Sequence, residues 1–243
     1  MEFTLLWAAL IGVAALWLAV RILDRDGAIS EVVPGPFDAL LGAAIGGLVV
    51  GRLWAMVADG VNPLTNPLDI ILVRAGVDTL GASLGAVAVI TWSFRTRLPA
   101  ALDAVAAPAL VGLAGWHAGC LARGSCSANG QPVELHTALG LLATAALAPR
   151  WWLRGPAPGA VASFGLAAAS AVRLVTEPFR FYLGNGQVVL YAVGLGVGLV
   201  GLIVAEVVER AGTTQAQAHE ERDELGGGEH QPDEHHGHHD GDA

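Results

Sequence analysis

The chain has 243 residues, 53% hydrophobic and only 14% charged, and its apolar residues come in long runs instead of alternating with polar ones, which argues against an ordinary soluble domain. All 13 basic residues are arginine and fall mostly at the ends of apolar segments, so the chain lacks the basic patch that nucleic-acid binding requires. The net charge of −9 belongs to the tail: residues 1–211 hold 12 Arg and 13 acids, for −1, and residues 212–243 hold one Arg and nine acids, for −8.

The first apolar run, Thr4 to Val20, is preceded only by Glu2 and followed by Arg21 and Arg25. It lacks the basic start and the small-x-small cleavage site of a signal peptide, and reads as an uncleaved helix with its N-terminus outside. Further runs follow at Phe37–Val57, Gly76–Trp92, Ala101–Leu121, Leu135–Ala148, Gly159–Val172 and Val188–Val208. Most reach the roughly 20 residues that cross a bilayer; the fifth and sixth are shorter and rich in Ala. The expected fold class is therefore an all-α integral membrane protein with about seven transmembrane helices. Glycines recur inside the runs, at Gly42, Gly46, Gly47, Gly51, Gly194, Gly196, Gly198 and Gly201, and close helix packing accounts for nearly all of them.

Arg21, Arg25, Arg95, Arg97, Arg150 and Arg154 fall in the first, third and fifth connections. The positive-inside rule puts those loops in the cytoplasm, with the N-terminus outside and the C-terminus inside. Two regions follow: residues 1–211 as a multi-pass membrane domain, and residues 212–243 as an acidic, His-rich tail. That tail has almost no large apolar side chain and is expected to be disordered.

Charged side chains are costly within a membrane, so each is a candidate for function. Arg173 and Glu177 are four apart on one helix face, with Pro178 and Arg180 just beyond. A guanidinium oriented by a carboxylate suits a lipid phosphate, and the same pair also serves as an ion pair closing a bundle. His117, Cys120 and Cys126 have the residue types for metal ligation or for Cys–His catalysis; ligation is the lesser reading because a fourth ligand requires His136 to fold back. Arg123 reads as an interfacial anion contact. His136, behind Glu134, is a proton carrier or a polar interface residue. Arg52, at the end of the second run, snorkels or binds phosphate. The tail holds six of the eight histidines, enough for weak zinc or nickel affinity.

Taken in order, these segments resemble the prolipoprotein diacylglyceryl transferase family from about Phe37 to Glu206. GRLWAM (Gly51 to Met56), NPLDIILVRAG followed by GASLG, DAVAAPALVGLAGWHAGCLARGSC, ELHTAL, RLVTEPFR and LGNGQVVLY are similar to the family's successive motifs. Arg52, Cys120, His136, Arg173, Glu177 and Arg180 are retained. The family's essential histidine is replaced by Leu80, a family arginine by His117, an acid by Ser125, and a Tyr-Glu pair by Gly140-Leu141. The resemblance implies an enzyme of the bacterial cytoplasmic (inner) membrane. Such an enzyme moves a diacylglyceryl group from phosphatidylglycerol to the lipobox cysteine thiol of a prolipoprotein signal peptide, without a cofactor or metal. His117 and His136 are then the candidate bases, and Arg173, Glu177, Arg180, Arg52 and Arg123 the candidate phospholipid-binding set. The alternative is a protein that keeps this fold to bind a lipid or a partner without catalysis.

Overall fold

Each apolar run of the sequence becomes a helix. The computed structural model describes residues 4–65, 77–121, 132–152, 157–179 and 185–226. Its helices are α1 (Thr4–Leu23), α2 (Ala28–Val32), α3 (Pro36–Ala58), α4 (Thr79–Phe94), α5 (Leu98–Leu121), α6 (Val133–Trp152), α7 (Ala160–Thr176) and α8 (Asn185–Gly226), with a 3-10 turn at Glu177–Phe179. There is no strand among the described residues. Among the described residues, three helical stretches, Pro36–Ala58, Leu98–Leu121 and Gln187–Gln215, are long and apolar enough to cross a membrane. Trp7–Leu23, Thr79–Phe94, Val133–Ala148 and Ala160–Thr176 are shorter apolar helices.

Helix starts follow local chemistry. Pro36 opens α3, where its missing N–H has no helical partner to lose. Asp78 caps α4 by accepting the N–H of Gly81 at 2.8 Å. The cap of α7 comes from another helix: Asp103 of α5 accepts from Gly159 N at 2.6 Å and from Ala162 N at 2.7 Å. A carboxylate buried in an apolar helix thus meets N–H groups that the start of α7 leaves unpaired.

The chain divides into two units, residues 1–206 and 207–243. In the first, the interior is unlike that of a soluble protein. Large side chains such as Trp7, Trp17, Trp54, Trp92, Val193 and Ile203 face outward, while Ala8, Ala19, Ala43, Ala104, Ala114 and Ala145 are buried. In lipid the large apolar groups gain little by hiding, and helices associate by close backbone approach. Gly119 lies against Ala8 and Gly115 against Ala15, joining α5 to α1; Gly85 lies against Gly46, joining α4 to α3. A Cβ on Gly85 would sit 2.6 Å from the Gly46 carbonyl oxygen, and one on Gly198 would sit 2.6 Å from Ala167 N at the α7–α8 contact. Of the eight glycines singled out above, six make such contacts, whereas Gly42 and Gly196 face open space.

In the second unit, residues 207–226 are helical, continuing α8 where a disordered tail was expected from Gly212. Extending an existing helix needs no new nucleus, and Ala, Gln, Glu and Arg in this stretch are good helix formers. The remainder of the tail, including His235, His236, His238 and His239, lies outside the described residues.

One end of the first unit is sealed. Ile29 and Val33, in and after α2, pack with Leu16, Val20, Leu40, Ala101, Ala104 and Val105 into an apolar cluster. Asp24 holds α2 in place by accepting from Ile29 N at 2.9 Å and Ser30 N at 3.0 Å, and from the Ser30 hydroxyl. Around this end Arg21 lies over Trp17 and Arg95 over Trp92, 5.4 and 5.8 Å from the ring centroids, a pairing suited to a membrane–water boundary.

Candidate functional site

Apart from Asp103, the buried charges among the described residues gather at the opposite end. Gly119 beside Ala8 sets the C-terminus of α5 next to the N-terminus of α1. Because α6 runs back from α5, and α8 from α7, this end carries the last turns of α5 and α7 and the first turns of α6 and α8. α3 starts at the sealed end, where Leu40 joins the apolar cluster, so its last turns also point this way.

Within the last turns of α5, His117 is buried, and its Nδ1 lies 2.5 Å from Oε2 of the equally buried Glu134 in the first turn of α6. An acid in the opening turn of a helix is favoured by the unpaired N–H groups there, and the imidazole gives it a partner on the facing helix. Three residues on, Thr137 turns toward α7. Its hydroxyl donates to Thr176 Oγ1 at 3.1 Å, and Thr176 Oγ1 donates in turn to Val172 O at 2.9 Å.

Arg173, on the last turn of α7, and Glu177 form the ion pair that their spacing suggested, at 3.0 Å. Glu177 is 1% exposed and Arg173 7%. Arg173 Nη2 donates to the Tyr191 hydroxyl on α8 at 2.9 Å, and its guanidinium carbon stands 5.0 Å from the centroid of the same ring. Tyr191 therefore fixes the fork from the side. Nη1 of Arg173 is nonetheless buried without a hydrogen-bond partner among the described residues, and Oε2 of Glu177 meets Nη2 as an ion pair without hydrogen-bond geometry. Buried polar atoms are normally satisfied, so a guanidinium N–H left without an acceptor marks a place where an anion gains.

The other expected residues divide as follows. Arg52 is buried, at 4% exposure, near the end of α3, so it does not snorkel; Gly51 beside it packs against Val77, Asp78 and Ala82 of the α4 start. His136 is exposed on α6, on a different face from Glu134 and Thr137. Cys120 is half-buried. Arg123, Ser125, Cys126 and Arg180 lie outside the described residues. Among the described residues, no three His, Cys, Asp or Glu side chains come together as metal ligands would. Leu80 is exposed on the first turn of α4.

Sequence reading missed two partners. Glu134 was noted only as the neighbour of His136, although an acid opening an apolar helix is itself a signal of a buried partner. Tyr191, one of only two tyrosines, closes the LGNGQVVLY segment and gave no further signal until α8 was seen to lie along α7.

The chain matches the family described as prolipoprotein diacylglyceryl transferase over residues 2–209. No curated protein matches it.

Proposed function

Because the chain belongs to the prolipoprotein diacylglyceryl transferase family, we propose that it transfers the diacylglyceryl group of phosphatidylglycerol to the cysteine thiol of a prolipoprotein signal peptide. The observation that supports this reading most is the buried Arg173, pinned by Glu177 and Tyr191 with one N–H edge unmet. The lipid phosphate is the anion such a fork suits.

The reaction asks little else of the protein. The thiol proton passes to a base, the sulfur attacks the glyceryl carbon, and that carbon's bond to the phosphate oxygen breaks. Glycerol phosphate leaves with the electron pair, and its developing charge is what Arg173 stabilises. Arg180, Arg52 and Arg123 are further contacts for the headgroup, and His117 or His136 takes the proton. No cofactor enters the scheme. The protein sits in the bacterial cytoplasmic membrane with seven spans, the N-terminus outside and the C-terminus in the cytoplasm, so the charged end opens to the outer leaflet.

Leu80 favours a second reading. A hydrocarbon side chain cannot exchange a proton, and in this second reading the fold binds phosphatidylglycerol or a partner without transfer. Purified protein in detergent, given labelled phosphatidylglycerol and a lipobox peptide, separates the two. Transfer of label that Arg173→Ala abolishes supports the enzyme. Lipid retained by a folded protein that moves no label supports the binding reading and ends the first.

A further inference from the structure

The pairing of His117 with Glu134 reaches beyond the choice between two candidate bases, and rests on the transferase reading above. We propose that the proton acceptor of the transfer is His117, with Glu134 as its positioning residue, so that a dyad bridging α5 and α6 performs the proton transfer for which Leu80 has no group.

Three observations carry this. First, Nδ1 of His117 lies 2.5 Å from Oε2 of Glu134, and both side chains are buried. A carboxylate on Nδ1 commits that nitrogen's proton, fixes the tautomer in which Nε2 is the basic atom, and stabilises the imidazolium formed when a proton arrives. Second, the dyad is joined to the anion site through one contact: Thr137, on the same helix as Glu134 and one turn away, hydrogen-bonds Thr176, which follows Arg173 by three residues on α7. Base and anion fork therefore sit at one end of the bundle, as a thiol and a phosphate on adjacent atoms of one reaction require. Third, His136 lies on the exposed face of α6, where no comparable partner holds it among the described residues.

The thiol S–H proton goes to Nε2, the S–C bond forms as the C–O bond to phosphate breaks, and the imidazolium returns its proton to the departing phosphate or to water. Glu134 stays ionised throughout and touches no reacting atom.

Charged and titratable groups on the elements packed around α5 that bear on this proton are few. α1 carries only Arg21, toward the sealed end, where Glu31 of α2, Asp38 of α3, Asp103 of α5 and Arg150 of α6 also lie; at the other end α6 brings Glu134 and His136, α7 and the turn after it Arg173 and Glu177, α3 and α4 with their caps Arg52, Asp59 and Asp78, and α5 itself Cys120. Of these, Glu134 is within hydrogen-bond reach of the ring.

The test is the same transfer assay, run across a pH series on wild type, Glu134→Gln, His117→Gln and His136→Gln, with retention of labelled phosphatidylglycerol measured beside each. His117→Gln is expected to lower kcat by about 10²-fold or more while lipid retention holds. Glu134→Gln is expected to lower kcat less and to move the acid limb of kcat/KM to lower pH, because the ring loses the carboxylate that favours its protonated form. A merely structural role for Glu134 would lower the amount of folded enzyme and leave that limb in place. An unmoved limb with wild-type kcat in Glu134→Gln overturns the inference alone, as does a loss confined to His136→Gln. Should Glu134→Gln aggregate, His117→Gln decides: wild-type kcat in it overturns the inference. A wild-type protein that binds lipid and moves no label overturns the dyad and the transferase reading together.

Discussion

Asp24 and Asp103 at the sealed end of the helical body and Glu134 and Glu177 at the other are used in opposite ways, although Asp78 at that second end also caps a helix, α4. At the sealed end Asp24 and Asp103 both accept from backbone N–H groups, Asp24 at the start of α2 and Asp103 at the start of α7, and an apolar cluster closes around Ile29 and Val33. At the other end Glu134 meets an imidazole and Glu177 a guanidinium, and the second pair keeps hydrogen-bonding capacity that no described residue uses. A carboxylate answered by backbone amides has finished its work in building the fold. A charged pair with capacity left over is prepared for something that arrives later.

The contrast breaks most visibly at Arg173. Arg173→Ala strands Glu177, and removing one partner of a buried pair costs about 3–5 kcal/mol. The expected outcome is loss of label transfer together with a marked fall in unfolding midpoint in detergent; Arg173→Ala combined with Glu177→Gln should recover much of the stability and none of the transfer. Asp103→Asn tests the sealed end. An amide cannot accept from both Gly159 and Ala162 with the oxygen it retains, so stability should fall by about 1–3 kcal/mol, with lipid retention per folded molecule unchanged. If Asp103→Asn instead abolished lipid retention in folded protein, the division of labour between the ends would be wrong.

Smaller effects sharpen the picture. A double-mutant cycle of Thr137→Val and Thr176→Val should report a coupling near 0.6 kcal/mol, the scale usual for hydrogen bonds between helices in lipid. A coupling indistinguishable from zero would remove the Thr137–Thr176 contact as the link between base and fork. The smallest effect concerns acid. Burial raises the Asp24 carboxyl, but the Ser30 hydroxyl and the N–H groups of Ser30 and Ile29 outweigh it and hold the group below the ordinary aspartate value. A depressed carboxyl contributes stability that is present above its unfolded value and fades as pH falls through the folded one. Wild type should therefore lose slightly more stability than Asp24→Asn between pH 5 and the acid limit, measured as a difference in unfolding midpoint; parallel curves would count against the depressed carboxyl.

Much of this was legible in advance, for identifiable reasons. The helices were readable because lipid demands long apolar runs, and the packing role of Gly46, Gly47, Gly51, Gly194, Gly198 and Gly201 was readable because close approach demands the absence of a side chain. Arg173 and Glu177 were readable because helical spacing puts residues four apart side by side. His117 with Glu134 was not, since they lie 17 residues apart on different helices. Nor was the helix through 212–226, where composition argued for disorder and continuity with α8 prevailed.

The sequence alone determined what is local: which stretches form helices, which residues are too small to hold neighbouring helices apart, and which charges share a face. The tertiary structure decided what those charges meet. Antiparallel packing brought the end of α5 to the start of α6 and α8 along α7, and only then did His117 acquire Glu134 and Arg173 acquire Tyr191. The physical reason is range: backbone hydrogen bonding acts within one turn and periodicity within one helix, whereas a buried charge is answered by whichever helix the packing of small residues brings beside it.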